Sequence, residues 1–263
     1  MKKRKKTKNV HHKPRYKNKA HSKKERPKKT ERVPTGIPNF DTLIEGGFEK
    51  NSTNLLIGGA GSGKSIFAIQ FLMKGIKEGE PGLYITFEET KEEFYANMAR
   101  FGWDLRKYED EGMFVFLEYT PERVKTMLEE GGGAIENIIL KGKIVRVVID
   151  SITSFELLFD NELEKREATF ELFNMISKWN CTAVVTFEAN IRSSDKPDTR
   201  TMEFEADSII AFYFMRAKNE RKRYLEVLKM RGTKHSTKIF SFEMTKTGIA
   251  LGKKAFTGKI ETY

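Results

Sequence analysis

The chain has 263 residues, 38% of them hydrophobic and 20 of them Phe, enough for one large α/β domain with a substantial core, or two small ones. No apolar run approaches the ~18 residues a membrane helix needs, and no apolar segment follows Met1-Lys2-Lys3-Arg4-Lys5-Lys6. No membrane, no secretory signal and a cytoplasmic location are therefore expected, and the single cysteine, Cys181, rules out an intrachain disulfide or a thiolate metal cluster.

The net charge of +11 is unevenly placed. Residues 1–32 hold 16 Lys and Arg against Glu25 and Glu31, a net +14, which leaves 32 basic and 35 acidic residues, or −3, for the rest. Such a segment has too little apolar surface to offset its ordering entropy, so residues 1–32 are expected to be a disordered basic tail and residues 33–263 the folded domain. The tail reads as an arm for nucleic acid or another polyanion, or as a solvated extension with no dedicated partner. His11, His12 and His21 lack the Cys or acidic ligands of a structural metal site. Order is expected from Val33, with a short helix between Pro38-Asn39 and Gly46-Gly47.

Asn54-Leu55-Leu56-Ile57 then reads as a buried strand and Ile66–Met73 as a helix ending near Gly79. Between them Gly58-Gly59-Ala60-Gly61-Ser62-Gly63-Lys64-Ser65 matches G-x-x-x-x-G-K-[ST] in the strand–loop–helix setting this motif requires. Its glycines let consecutive N–H groups converge on a polyphosphate, and the helix N-terminus adds partial positive charge. Lys64 would reach the β- and γ-phosphates of ATP and Ser65 would hold Mg²⁺.

Gly82–Phe87 reads as a buried parallel strand ending in Glu88-Glu89, one of which is placed to polarise the water attacking a γ-phosphate. On an extended chain the two would point to opposite sides. The pair also suits the acidic start of a helix capped by Thr90. A helix over Lys91–Arg100 with a Phe94, Met98, Phe101 stripe, a strand over Met113–Glu118, and a helical stretch Glu122–Glu130 broken by Gly131-Gly132-Gly133 follow. A helix through Ile135, Ile138 and Ile139 leads to the strand Ile144–Ser151, whose terminal Asp150 carries the second nucleotide signature and orients Mg²⁺. The Gly82–Phe87 strand is expected beside both motifs.

A helix from Leu163 to Trp179 with Phe170, Phe173, Ile176 and Trp179 recurring, a strand Thr182–Glu188 whose Thr186 or Glu188 is placed to sense the γ-phosphate, and a polar loop Asn190–Arg200 come next. Three strands, Ser208–Met215, Arg223–Met230 and Thr237–Phe242, close the domain, with Thr245–Gly248 as a turn. Lys229 and Arg231 at i and i+2 project to one face and suit a polyphosphate, or a basic edge that resists aggregation. His235 reads as a surface residue or a stacking contact.

Taken together, Pro34–Asp41, Gly58–Ser65, Thr86–Thr90, Val148–Ser154 and Leu228–His235 resemble the KaiC-like branch of the RecA-fold ATPases, over about residues 33–252. The resemblance implies a mostly parallel central sheet flanked by helices, with antiparallel strands at its C-terminal edge. It also implies ATP bound between neighbouring copies of a ring, commonly a hexamer. Glu88 and Glu89 then match the paired catalytic glutamates, and Lys229, Arg231 and His235 match residues reaching the nucleotide across the subunit boundary. One ATPase unit is present where the clock protein has two, so timing and autokinase activity do not carry over. The expectation is a Mg²⁺-dependent ATPase that assembles through its nucleotide sites. The alternative is a non-catalytic, ATP-gated assembly or nucleic-acid-binding module, like a recombination mediator.

Overall fold

Near-continuous apolar runs mark strands covered on both faces, and this chain builds its sheet from them. The computed structural model describes residues 30–120, 123, 126, 133–189, 200–217 and 219–258. The tail up to residue 29, most of Glu122–Glu130 with its glycine break, and the polar loop from Asn190 to Thr199 lie outside those residues.

The first described strand starts inside the expected tail. Strand β1 (Arg32–Val33) pairs antiparallel with β2 (Phe48–Glu49). Arg32 donates to Thr233 Oγ1 at 2.8 Å and pairs with Glu45 at 3.2 Å, partners too distant along the chain to be read from a charge run. A 3₁₀ turn, Asp41–Ile44, occupies the short helix position. The main elements follow as β3 (Thr53–Gly58), α1 (Lys64–Lys77), β4 (Gly82–Thr86), α2 (Lys91–Ala99), α3 (Leu105–Asp110) and β5 (Phe114–Glu118). After α4 (Gly133–Gly142) come β6 (Arg146–Asp150), α5 (Ile152–Glu156), α6 (Glu162–Lys178), β7 (Thr182–Glu188) and α7 (Arg200–Glu205). Strands β8 (Ser208–Ala217), β9 (Glu220–Met230), β10 (Phe240–Thr245) and β11 (Gly248–Ala255) complete the described chain.

Among the described residues nine strands form one sheet in the order β11-β10-β9-β8-β3-β7-β6-β4-β5. The six from β8 to β5 are parallel and the outer three run antiparallel, as expected. Side-chain alternation divides the core. Leu56, Tyr84, Val148 and Val184 face the layer of α1, α2 and α3. Leu55, Ile57, Leu83, Ile85, Val147, Ile149 and Val185 face the layer of α4, α5 and α6.

Four sequence expectations need correction. Strand β4 adjoins β6, but β7 and β6 separate it from β3, so it does not flank the phosphate-loop strand. The third closing strand starts at Phe240, because Ser236 N donates to the Leu43 carbonyl and holds that stretch on the N-terminal segment. A fourth closing strand, β11, follows the turn; its apolar signal is only Ile249 and Leu251 before Gly252-Lys253-Lys254, a basic composition suited to an edge strand. Phe170 is 49% exposed, on the outer face of α6, whereas Phe173, Ile176 and Trp179 are buried.

Candidate nucleotide site

The same alternation that sorts the core places the polar residues. Two residues beyond Leu56, Tyr84, Val148 and Val184, on the face toward α1, stand Gly58, Thr86, Asp150 and Thr186. The carboxyl ends of four adjacent parallel strands therefore direct these residues to the end of α1 at which Lys64 begins. That is where open α/β sheets bind ligands.

The loop Gly58–Ser65 joins β3 to α1 through left-handed backbone at Gly61 (φ +71°) and Gly63 (φ +110°). These conformations turn N–H groups toward a common centre. A Cβ at Gly63 would also come within 2.6 Å of Met244 Cε on β10, but it is the left-handed backbone there that favours glycine. Buried Lys64 donates to the Gly58 carbonyl at 2.7 Å and the Gly59 carbonyl at 3.1 Å. Burial lowers its pKa, while Asp150, Glu188 and Glu88 act against that shift. The Ser62 hydroxyl is fully buried and has no hydrogen-bond partner among the described residues.

Asp150 is fixed at both oxygens. Tyr84 Oη donates to Oδ2 at 2.5 Å, and the Thr186 hydroxyl donates to Oδ1 in a short contact. Tyr84 stands on β4 and Thr186 on β7, the two neighbours of β6, and each extends from the same face as Asp150. Thr186, expected to sense a phosphate, is thus an orienting residue for Asp150.

Strand β4 ends at Thr86, before the glutamates, so extended-chain alternation does not govern them. Glu88 Oε1 accepts from Ser151 Oγ at 2.8 Å and Ser154 Oγ at 2.5 Å. The Glu89 carboxylate has no hydrogen-bond donor among the described residues. Burial, then the charges of Asp150, Glu88 and Glu93, raise its pKa above the usual 4.5. Thr90 caps α2, accepting from Glu93 N and donating to Glu93 Oε2 at 2.9 Å, so the capping role also holds.

Lys229, Arg231 and His235 are not in this cluster. Strand β9 runs antiparallel to β8, so its end lies at the edge of the sheet where β3 begins. Five residue steps along β3 separate that edge from Gly58, about 16 Å at ~3.3 Å per residue. There Lys229 donates to the Ala206 carbonyl at 2.7 Å, and Arg231 contacts Asp207 Oδ1 at 3.3 Å and the Phe204 carbonyl. His235 Nδ1 lies 3.0 Å from the Ser236 carbonyl. A cleft of about 390 Å³ opens beside Arg231, walled by Lys50, Asn51 and Asp207. Asp207 also accepts from Thr53 N at 2.9 Å, tying the starts of β3 and β8 together, a role its lone place in the sequence does not announce.

A glycine-framed nest of amides, a buried ammonium, the Ser65 residue that follows it at the start of α1, and an oriented carboxylate make up the donor set. It fits a polyphosphate with a hard divalent ion. The family described as "ATPase: KaiC" matches over residues 33–255. Circadian clock protein KaiC3 of Synechocystis is 34% identical over 229 residues, covering 84% of this chain and 45% of that protein. A UPF0273 protein of Pyrococcus furiosus is 35% identical over 237 residues, covering 83% of this chain and 92% of its own. The crystal structure of a KaiC-like protein from Pyrococcus horikoshii superposes with a TM-score of 0.77 at 37% identity, covering 85% of this chain and all of the other. The chain therefore spans under half of the clock protein and nearly all of the archaeal relative, and it belongs to the KaiC family of RecA-fold ATPase domains.

Proposed function

We propose that this chain is a Mg²⁺-dependent ATPase whose complete site forms between two copies. The observation that carries the reading is the division of the site: the loop, Asp150 and the glutamates share one sheet edge, while Lys229 and Arg231 occupy the other. No single chain brings both groups to one phosphate. Head-to-tail packing would bring one copy's cations to its neighbour's loop, and such heterologous contacts form a ring where the rotation between copies closes.

In this reading the loop amides and Lys64 bind the triphosphate of ATP, and Lys64 exchanges its carbonyl contacts for phosphate oxygens. Ser65 and Asp150 would hold Mg²⁺, with Tyr84 and Thr186 keeping the carboxylate aimed. Bound metal supplies charge neutralisation at the β- and γ-phosphates. Glu89, with an unengaged carboxylate, takes the proton of the attacking water. Glu88, held by Ser151 and Ser154, fixes the turn that presents it. Arg231 and Lys229 from the adjacent copy stabilise charge on the transferred phosphoryl.

The test is complementation. Lys64→Ala and Arg231→Ala each lower ATP turnover on the order of 10²-fold or more. After joint refolding, about a quarter of wild-type turnover returns, because random mixing joins an intact loop to an intact cation at about one interface in four. Failure of the mixture to recover would place both halves in one chain. Normal turnover in Lys64→Ala, Glu89→Gln and Arg231→Ala would leave ATP as an assembly ligand only.

A further inference from the structure

We propose that Asp207 is a positioning residue for the proposed reaction: it seats Arg231 so that one copy's cation meets its neighbour's triphosphate. The inference rests on the two-copy ATPase reading above and adds to it the group that orients the cation supplied in trans.

The short segment from the end of α7 to the start of β8 holds both β9 cations. Arg231 reaches the Phe204 carbonyl and Asp207 Oδ1, and Lys229 donates to the Ala206 carbonyl. The Arg231 backbone N–H donates to the Asp207 carbonyl at 2.8 Å. This seat is itself clamped to the first residue of β3. Asp207 N donates to the Thr53 carbonyl at 2.9 Å, and Asp207 Oδ2 accepts from Thr53 N at 2.9 Å. Beyond the arginine, Thr233 Oγ1 donates to the Arg231 carbonyl at 3.3 Å and accepts from Arg32 at 2.8 Å. The seat and Gly58 thus stand at opposite ends of one six-residue strand, which fixes the cation relative to the loop of its own chain.

The form of the contact suits presentation of the guanidinium. Asp207 meets Arg231 through Oδ1 alone, at 3.3 Å, because Oδ2 is engaged by the backbone of β3. A two-oxygen fork would occupy the edge of the guanidinium that matches a phosphate. Here the guanidinium has more N–H donors than partners among the described residues, and its side chain is 53% exposed. A free arginine at a sheet edge would lose rotamer freedom on meeting the transferred phosphoryl, whereas one already held loses less.

The test is ATP turnover of Asp207→Asn alone and of jointly refolded mixtures. An Asn amide cannot accept from both Thr53 N and Arg231 in the way the carboxylate does. In the single variant kcat should fall about tenfold or more with KM for ATP unchanged, since the cation acts on charge that develops in the transition state. The unchanged KM also reports an intact loop and fold. Wild type mixed equally with Lys64→Ala should keep about half of wild-type turnover, because every intact loop still meets an intact cation. With Lys64→Ala/Asp207→Asn in its place about a quarter should remain, because about half of the intact loops then face a copy whose cation is unseated. Lys64→Ala/Arg231→Ala should give the same quarter. A half with the Asp207 double variant beside a quarter with the Arg231 one would overturn the role of Asp207 and leave the two-copy reading standing. A half with both would overturn that reading and the inference with it. A raised KM in Asp207→Asn would assign the carboxylate to the loop of its own chain and equally overturn the proposal.

Discussion

Glu88 and Glu89 are adjacent in sequence but differ in chemistry because of what surrounds them. Two serine hydroxyls, from the N-cap and first turn of α5, hold Glu88, while burial and three neighbouring carboxylates disfavour the charged form of Glu89. A base works only when deprotonated. A raised pKa therefore moves the loss of turnover on acidification above the usual 4.5, and activity should rise with pH through that limb. Removing the Glu93 charge should shift the limb to lower pH in a pH–rate profile of Glu93→Gln, and Glu89→Gln should lose turnover at every pH. Gln70 shows the opposite relation between sequence and role. It is the single glutamine of the chain. In the fold it donates to the Gly36 carbonyl at 3.0 Å and accepts from Ile249 N at 2.7 Å, joining both ends of the domain to α1. Nothing in its neighbours along the chain signals this, because its partners are 34 and 179 positions away.

Among the elements, α1 carries the most structural duty. It starts the phosphate site, packs across β6 and β4, and takes the side chain of Arg146 from beneath. That guanidinium is 1% exposed, 2.7 Å from Glu80, bonded to the Pro34 and Phe71 carbonyls, and 4.8 Å from the Phe71 ring centre. Gly75 makes room for it: a Cβ there would lie 2.4 Å from Arg146 Nε. Arg146→Met should cost about 3 kcal/mol by urea denaturation, since it strands two backbone carbonyls and unpairs Glu80. Gly75→Ala should cost about 1–3 kcal/mol through overpacking. Strand β6 was legible as an apolar run ending in Asp, yet its first residue, Arg146, is buried under α1.

For the whole molecule, the proposed function makes assembly a condition for chemistry, because the loop and the β9 cations are separated in one chain. ATP with Mg²⁺ should raise the native mass of the wild-type chain to that of a closed oligomer. Arg231→Ala should weaken this response in native mass measurement while leaving the mass without nucleotide unchanged. If the mass is the same with and without nucleotide in both proteins, the interface does not run through the site. The basic tail should not alter this outcome, since β1 and β2 already close the start of the domain at Arg32.

By itself the sequence determined the phosphate loop, the glutamates that follow β4 and the acidic end of β6, the parallel character of the central strands and the antiparallel edge. Glycine spacing and unbroken apolar runs are local constraints, and local constraints are written in consecutive residues. Only the tertiary structure decided that β7 stands between β3 and β6, that Tyr84 and Thr186 aim Asp150, that Arg146 is buried, and that Lys229 and Arg231 lie at the far edge. Strand order and cross-strand register join residues by position in space, and no spacing along the chain encodes which strand will be a neighbour.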